Sequence, residues 1–558
     1  MSFIDRFFEV LHTQPHKALV TEVDRGTLLP TFGAELKRLT AVARGTLRHH
    51  GVVPGDRVVV VANNSLRWVA TDLAILGEGA IAVPLYARQA VGELAGMIAD
   101  ATPRVVVAEN EALQSELRGA IETAMPEGAR PPVVLLESLF GGQAPVDGPP
   151  HARAPSDVVT IIYTSGTSGE PKGVMLTAAN VDFMLPIITE AIQAMLSGRA
   201  RKPDASGAPG DDRVFHYLPL CFAGSRMVLW MCLYRGAGIM LSTNLQNLAD
   251  EMKAARPNYY LNVPFHLERV RLGVEKKLLD KPAPIRALWE KGKRAYDRIR
   301  AGDASLVDRA VHRIARRVVF DAVRKQIGPE LDCLICGSAA LPSDTQRWFE
   351  MLGIPVYQVY GLTETTAICT LDRPGQAQAG KVGWAIPGIE MRLGEEDELQ
   401  IRGPHIFAGY WNKPEATEAT RTDDGFFRTG DQAELGADGS LKLIGRVKNL
   451  LVPTSGHNVA PEPIEEKLLR LPGVEQAVVF GHARPYLVAI VTGDMTAESL
   501  TTGLDALNEE LPFYRRVRKI HVSTERLTPE NGCLTANQKL KRKAIEKYFA
   551  AHIERLYA

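Results

Sequence analysis

Apolar and polar residues along the first part of the chain follow two different periods. Apolar residues recur at helical spacing from Leu36 to Leu47 and again from Trp68 to Gly79. Continuous apolar runs, which are typical of buried strands, lie at Arg57–Ala62, Ala80–Leu85 and Val105–Val107. Alternation of strand and helix predicts an α/β sheet with crossover helices.

The pattern changes further along the chain. Leu399–Gly403 and Leu441–Gly445 are predicted strands of an antiparallel or barrel-like unit. A smaller pattern of helices and strands follows Lys448. We therefore expect an α/β protein with a large N-terminal domain, 1–447, which contains two α/β subdomains and a β-barrel-like subdomain. A small, mobile α+β domain, 448–558, is expected to hinge at Lys448.

Composition narrows the class of protein. The 558 residues are 45% hydrophobic, and 65 basic residues balance 65 acidic ones. A balanced charge argues against an electrostatic nucleic-acid binder. The six cysteines are sparse, which suits a reducing compartment. No apolar run has the length of a membrane span, and the N-terminus lacks an apolar signal segment, so we expect a cytoplasmic protein.

One stretch, 269–325, is rich in arginine and lysine and poor in acidic residues. Two interpretations stay open. The first is the solvated face of surface helices. The second is a surface that meets anionic lipid, as a peripheral membrane contact, or an anionic cofactor.

The segment Ile161–Thr177 combines a predicted strand with a loop of glycines, hydroxyls and one lysine. Glycine lets backbone N–H groups turn toward an anion, hydroxyls add donors, and lysine adds a mobile charge. The composition indicates a phosphate-binding loop, and the alternative is a surface turn rich in the same residues. The candidate phosphate-binding residues are Thr164, Ser165, Gly166, Thr167, Ser168, Gly169 and Lys172.

Two further segments offer nucleotide chemistry. Small residues at Gly337–Pro342 would let a flat purine ring lie against backbone. In Tyr360–Thr366, Tyr360 can stack on a base, Thr363 can donate to a phosphate, and Glu364 offers an oxygen ligand to Mg²⁺. Each segment alone also fits an ordinary turn.

Two charged residues complete the set. Asp431, in a Thr-Gly-Asp turn, can accept hydrogen bonds from two ribose hydroxyls. Arg446 can add a charge-assisted bond to ribose or phosphate.

Taken in this order, these segments resemble the acyl-adenylate-forming superfamily over most of the chain, and among its members the long-chain fatty acyl-CoA synthetases. The basic insert after Val263-Pro264, the segment 454–465 and the tail 530–542 are similar to those enzymes.

The resemblance implies roles for these residues. The loop 164–172 would close over the β- and γ-phosphates of ATP, and Glu364 would hold Mg²⁺. Thr363 would contact the α-phosphate. Asp431 and Arg446 would bind ribose. The adenine would meet Gly337, Ser338, Ala339 and Tyr360, and Gly361 would belong to the same nucleotide-binding site.

The remaining roles lie on the small domain and the acyl site. Lys539, with Lys541 as the alternative register, would bridge the acyl carboxylate and the α-phosphate. Lys448 would be the hinge, and Gly456 would lie along the pantetheine arm of CoA. Phe222 and Pro264 would line the acyl site, although Phe222 stands where these enzymes usually carry histidine.

The activity implied is an ATP- and Mg²⁺-dependent ligase that joins a fatty acid, expected to be long-chain, to CoA through an acyl-AMP intermediate. Two alternatives remain: an acyl-AMP ligase that loads an acyl carrier protein, and a nucleotide-binding relative without catalytic activity.

Overall fold

The computed structural model describes residues 2–165, 170–196, 212–528, 530–534 and 540–558, with backbone alone at 165 and 497–499. The chain forms two compact units. Unit 1 comprises Met1–Glu390 and Arg402–Ala419, and unit 2 comprises Met391–Ile401 and Thr420–Ala558. The boundary predicted at Lys448 lies within unit 2, and the hinge there stays a prediction.

The helices of unit 1 form where apolar residues recur at helical spacing, and reciprocal Ser–Asp capping boxes begin the first and the eleventh of them. These helices are α1 (Phe3–Thr13), α2 (Gly33–His49), α3 (Leu66–Gly77), α4 (Val91–Ala101), α5 (Glu111–Ala124), α6 (Ala178–Leu196), α7 (Ala223–Arg235), α8 (Leu248–Ala255), α9 (Pro264–Leu279), α10 (Ala283–Ala301), α11 (Leu306–Ala315), α12 (Asp321–Ile327), α13 (Ser343–Met351) and α14 (Pro414–Glu418).

The strands of unit 1 include the apolar runs predicted from the sequence. They are β1 (Ala18–Asp24), β2 (Thr27–Phe32), β3 (Arg57–Val61), β4 (Ile81–Leu85), β5 (Val105–Ala108), β6 (Val133–Leu135), β7 (Val158–Ser165), β8 (Pro171–Thr177), β9 (Val214–His216), β10 (Ile239–Ser242), β11 (Leu261–Asn262), β12 (Leu334–Cys336), β13 (Val356–Tyr360), β14 (Thr370–Leu371), β15 (Trp384–Ala385) and β18 (Gly409–Tyr410).

The described residues of unit 1 form three sheets. The largest has the order β18-β8-β7-β4-β3-β5-β6, and the strands from β7 to β6 run parallel while β8 and β18 are antiparallel additions. The second has the order β11-β12-β13-β14-β15, with its first three strands parallel. The third is β2-β1-β10-β9. Parallel strands end at one edge of a sheet, so the loops after β12 and β13 lie side by side.

The core of unit 1 lies on both faces of the large sheet. One apolar cluster joins the sheet to α1, α2, α3, α6 and α7, and another joins it to α4 and α5. Helix α7 is buried on nearly all sides, and its Arg226 donates to Asp72 Oδ1 at 2.7 Å. Pairing of this kind is what allows a charged side chain to be buried.

In unit 2, the part of the chain that the structure describes forms two sheets. The first, β16-β17-β19-β20, consists of β16 (Glu390–Leu393), β17 (Glu398–Arg402), β19 (Phe427–Leu435) and β20 (Leu441–Arg446), with antiparallel pairing from β17 to β20. This sheet is the expected antiparallel unit. The second, β21-β22-β23, packs with helices as an α+β unit made of α15 (Glu462–Leu468), β21 (Val474–Phe480), β22 (Leu487–Gly493), α16 (Ala497–Glu509), β23 (Val517–Ser523), α17 (Arg542–Tyr548) and α18 (Ala550–Tyr557).

All six cysteines are free and buried. In the parts of the chain that the structure describes, none of the helices combines the length and the apolar character needed to cross a bilayer.

Candidate active site

In the chain, the predicted phosphate loop lies between β7 and β8, which are the third and second strands of the large sheet. The two strands pair in antiparallel register, with Thr164 opposite Lys172 and Ser165 opposite Pro171. This pairing places Lys172 on β8 beside Thr164 of β7. Gly166, Thr167, Ser168 and Gly169 lie outside the described residues, so their phosphate contacts stay predictions.

The Lys172 side chain meets an aromatic residue that no sequence motif indicates. Its Nζ lies 4.9 Å from the ring centroid of Tyr410, a cation–π distance. Tyr410 belongs to β18, which pairs antiparallel with β8 and places Tyr410 opposite Val174. The tyrosine is 8% exposed.

Tyr410 links the lysine to the predicted metal ligand. Its hydroxyl donates to Glu364 Oε1 at 2.8 Å. Glu364 lies in a 3₁₀ turn, Thr363–Thr365, that directly follows β13 and Gly361-Leu362. The structure thus brings Lys172 to the ring and Glu364 to the hydroxyl of one buried tyrosine.

Backbone bonds hold the Glu364 turn. The Phe407 N–H donates to the Glu364 carbonyl at 2.9 Å, and Thr366 Oγ1 donates to the His405 carbonyl at 2.7 Å. A Cβ added to Gly361 would stand 2.2 Å from the Ala367 carbonyl oxygen, so no side chain fits there. The turn is therefore fixed by main-chain contacts, by the Thr366 hydroxyl and by Tyr410.

Glu364 fits the predicted Mg²⁺ role in its donor chemistry. Among the described residues its Oε2 accepts no hydrogen bond, and no cluster of three or more His, Cys, Asp or Glu forms a ready-made metal site. Mg²⁺ commonly uses one or two carboxylates together with nucleotide phosphates, so one free carboxylate oxygen suits it.

The predicted adenine segment follows β12, beside the end of β13. Cys336 is in register with Gln358, so Gly337 and Ser338 lie next to Val359 and Tyr360. Ser338 has φ +72°, a strained conformation for a residue other than glycine, and such strain is concentrated at functional sites. Ser338 and Ala339 are exposed, whereas Tyr360 is buried.

A network of buried side-chain amides holds the predicted adenine segment, Gly337–Pro342, in place. The Leu341 N–H donates to Gln358 Oε1 at 3.1 Å, and Gln358 Nε2 donates to Gln346 Oε1 at 2.8 Å. Asp372 Oδ2 accepts the Gln358 N–H at 2.8 Å, and burial raises the pKa of the Asp372 carboxyl to about 7. The sequence did not single out these side chains, because they act on the loop rather than on a ligand.

The predicted acyl residues lie on two neighbouring segments. Phe222 immediately precedes α7 and leans on Tyr86, with ring centroids 5.8 Å apart. Pro264 is the first residue of α9, which follows β11. A Cβ on Gly224 would stand 3.6 Å from Leu261 Cδ2, so the start of α7 and the approach to α9 are adjacent.

Partly buried polar residues support the acyl segments. Asn64 holds the chain before Phe222, since its Nδ2 donates to the Leu218 carbonyl and its Oδ1 accepts the Leu220 N–H, both at 2.9 Å. His266 lies against Tyr217 with ring centroids 5.3 Å apart, and burial lowers the pKa of His266 to about 4. Its imidazole is therefore neutral at pH 7.

Unit 2 carries the predicted ribose pair. Asp431 on β19 is in register with Arg446 on β20, and Arg446 Nε lies 2.6 Å from Asp431 Oδ1. Asp431 is buried while Arg446 is partly exposed. The structure thus joins these two residues as a cross-strand ion pair, and their contact with ribose stays a prediction.

The remaining predicted residues of unit 2 are exposed or undescribed. Lys448 lies exposed in a 3₁₀ turn, and Lys541 lies exposed just before α17. Gly456 has φ +75° with open space around an added Cβ, so its backbone conformation explains the glycine. Lys539 lies outside the described residues.

Comparison with known proteins decides the family. The model of the AMP-binding enzyme family matches residues 7–411, and that of the AMP-binding enzyme C-terminal domain matches 448–558. The chain belongs to the AMP-binding enzyme family. The resemblance inferred from the sequence motifs is therefore confirmed.

Similar proteins agree with this assignment. The chain is 28% identical over 554 residues to the long-chain-fatty-acid–CoA ligase FadD15 of Mycobacterium bovis, covering 91% of this chain and 89% of that protein. Among solved structures, ATP-bound MatB from Rhodopseudomonas palustris has a TM-score of 0.75 at 23% identity, covering 98% and 99% of the two chains. An anthranilate CoA ligase, AuaEII, bound to anthranoyl-AMP has a TM-score of 0.75 at 19% identity, covering 99% and 98%. These structures confirm the predicted fold class.

Proposed function

We propose that this member of the AMP-binding enzyme family is an acid–thiol ligase that activates a fatty acid, expected to be long-chain, with ATP and transfers it to CoA. The observation that carries the proposal is the Lys172–Tyr410–Glu364 arrangement, which joins β8, β18 and the turn after β13. The relatives named as fatty-acid–CoA ligases support a fatty acid as the substrate. An aryl-CoA ligase is among the similar structures, so the class and chain length of the acid are left to experiment.

In the first half-reaction, a carboxylate oxygen of the acid would attack the α-phosphorus of ATP. The bond from that phosphorus to the bridging oxygen would break, and pyrophosphate would leave. Lys172 suits a role beside the leaving phosphates, because a fixed cation offsets the charge that develops there. Bound Mg²⁺ would neutralise charge on the triphosphate, with Glu364 as its carboxylate ligand.

In the second half-reaction, the CoA thiolate would attack the acyl carbon, and the bond from that carbon to AMP would break. We propose that the small domain turns at Lys448 between the two steps, as hinge motions often separate two chemical tasks. Gly456 would then lie along the path of the pantetheine arm.

The substrate proposal is tested by pyrophosphate release across a panel of acids from short to very long, with aryl acids included. We expect the highest kcat/KM with long acyl chains. A preference for aryl or short acids would overturn the long-chain assignment while leaving the ligase assignment intact.

The acceptor is tested separately by trapping acyl-AMP with hydroxylamine, with CoA or an acyl carrier protein added. We expect CoA to consume the intermediate and a carrier protein to leave it. Consumption by the carrier alone would make the chain a carrier-loading acyl-AMP ligase. Absence of ATP–pyrophosphate exchange with every acid would identify a relative without catalytic activity.

The lysine of the first half-reaction is tested by comparing Lys539→Ala with Lys541→Ala. We expect Lys539→Ala to lose pyrophosphate release and still convert supplied acyl-AMP and CoA to thioester. Loss in Lys541→Ala instead would move the role to Lys541.

A further inference from the structure

The basic insert folds as helices on the surface of unit 1. Helices α10 and α11 pack against each other, and α11 continues through a π-helical turn, Arg316–Phe320, into α12. The insert contributes no residue to the Lys172–Tyr410–Glu364 arrangement, so its surface is free for a different role.

One face of α11 is apolar and exposed. Leu306 is 86% exposed, Val307 70%, Ile314 53% and Val318 51%. At about 100° per residue, the helical positions Leu306, Val307 and Ile314 fall within an arc of about 100° that also contains the exposed Ala310. Val318 continues this surface onto the next turn. Exposed apolar residues are ordinary when scattered, but a contiguous row marks an interaction surface.

The exposed apolar row is not the side of the helix that packs into the core of unit 1, because the opposite side is already buried there. Ala315, Val319 and Phe320 are buried, and the Phe320 ring meets Trp289 of α10 at 5.2 Å. The capping box of Ser305 and Asp308 begins the helix immediately before Leu306. The helix is therefore held firmly while its apolar row points outward.

Arginines lie directly beside the row. Arg309, Arg313, Arg316 and Arg317 are exposed, and within the described chain none of them forms an ion pair with a carboxylate. Asp308 is the single acidic residue between 306 and 320, and it already pairs with Arg298 at 3.0 Å. The face is thus strongly basic on a chain whose total charge balances.

We propose that this surface, which we call the α11 face (Leu306, Val307, Ile314 and Val318 with Arg309, Arg313, Arg316 and Arg317), docks on the surface of an anionic lipid bilayer. A helix that lies in a bilayer interface buries an apolar stripe at the headgroup boundary while neighbouring arginines reach the phosphates. The aliphatic row and its adjacent arginines match both requirements.

A protein partner is the less favoured occupant. The centres of protein interfaces are enriched in aromatic anchors, and charged residues are depleted there. The α11 face has aliphatic residues alone in its row, and four arginines border it. An anionic bilayer satisfies all four charges at once.

The test is co-sedimentation of the full-length protein with vesicles of phosphatidylcholine alone or with about two-fifths phosphatidylglycerol. We expect binding to the anionic vesicles that weakens as NaCl is raised, since salt screens the attraction. Arg309→Gln with Arg313→Gln should lower the partition coefficient about 30-fold. Leu306→Ser with Ile314→Ser should lower it at least about tenfold.

Matched controls replace residues of the same kind elsewhere in unit 1. Leu28→Ser with Leu29→Ser changes two exposed leucines of β2, and Arg25→Gln with Arg104→Gln changes two exposed arginines. Both control proteins should bind as the parent does. Because the altered residues are exposed, thermal unfolding midpoints should stay unchanged in all variants, which separates docking from folding.

Several results would overturn the proposal. They are failure of the parent protein to bind anionic vesicles at low salt, equal binding to neutral vesicles, or loss of binding in the controls as large as in the α11 variants. Sedimentation velocity that shows a dimer dissolved by Leu306→Ser with Ile314→Ser would assign the face to a second copy instead. The vesicle experiment uses no ATP, acid or CoA, so its outcome is independent of the proposed ligase activity.

Discussion

The turn that carries Glu364 and the turn that carries Phe222 are held in place by different contacts. The first is tied to Tyr410 through its own carboxylate, so its side chain is part of the hydrogen-bonded structure. The second is anchored through Asn64 and backbone atoms, while Phe222 itself meets Tyr86 through aromatic contact alone. At the Glu364 turn, the loss of a single hydrogen-bonding or charged atom should therefore lower activity. At the Phe222 turn, the size and shape of the side chain should decide how the acid binds.

The largest expected effect comes from removing the charge at Glu364. Glu364→Gln keeps an oxygen that can accept from Tyr410 but removes the anionic ligand, so we expect ATP–pyrophosphate exchange to fall about 10³-fold. The matched control is Glu170→Gln, which changes an exposed carboxylate after the phosphate loop that pairs with Lys413. Exchange within a few-fold of the parent in Glu364→Gln would place the metal ligand elsewhere.

The next effect is on the free energy of unfolding at low pH. It concerns His266 on α9, near the predicted acyl residues. Burial holds the His266 pKa at about 4, below the ordinary 6.5, with the ring against Tyr217 and the charge of Arg269 nearby. As pH falls from 6.5 to 4, the unfolded chain gains this proton and the folded chain does not, so stability falls. The shift corresponds to about 3 kcal/mol at most.

His266→Gln should therefore reduce the loss of stability between pH 6.5 and 4, measured as the urea midpoint of unit 1 at several pH values. His216 and His405 also have pKa values lowered to about 4 by burial, so part of the slope should remain. His16→Gln alters an exposed histidine and should leave the slope unchanged. An unchanged slope in His266→Gln would show that this imidazole titrates normally in the folded protein.

A smaller effect is expected from the tyrosine hydroxyl. Tyr410→Phe keeps the ring beside Lys172 and removes the hydrogen bond to Glu364, so exchange should fall about tenfold, with a raised Mg²⁺ requirement. Tyr163→Phe is the matched control, because its hydroxyl also donates to a carboxylate, Asp100 Oδ2 at 2.6 Å, away from Glu364. Equal losses in the two variants would assign Tyr410 a structural role alone.

The two turns also differ in how far the sequence could predict them. Glu364 and Lys172 lie in short motifs whose residue types state their chemistry, and apolar periodicity predicts the strands that carry them. Tyr410 gave no such signal, because β18 meets β8 through sheet pairing between distant parts of the chain. Supporting residues such as Asn64, Gln358 and His266 are likewise defined by tertiary contacts rather than by local pattern.

The α11 face is a second feature that the sequence alone could not predict. Composition revealed that the insert is basic but left two interpretations open. Only the fold shows that Ala315 and Phe320 turn inward, which leaves Leu306 and Ile314 exposed beside arginines. Helical spacing predicts which residues share a face, and packing decides which face is buried.

The smallest effect expected from these variants is at Phe222, where the resemblance to long-chain fatty acyl-CoA synthetases implies a histidine. Phe222→His keeps a planar ring against Tyr86 and adds a nitrogen that can donate to the acyl carboxylate. One added hydrogen bond is worth about 1 kcal/mol, so the KM for the acid should fall a few-fold. The KM for ATP should not change, because the Glu364 turn is held by separate contacts.

Phe265→His is the matched control, since it alters an exposed phenylalanine on α9 next to Pro264. It should leave both KM values as they are. If Phe222→His changes the KM for ATP as much as that for the acid, the two turns are coupled and the contrast between them fails. If it changes neither, Phe222 acts by shape alone, and a change of its size, as in Phe222→Ala, should then alter the preferred acyl length instead.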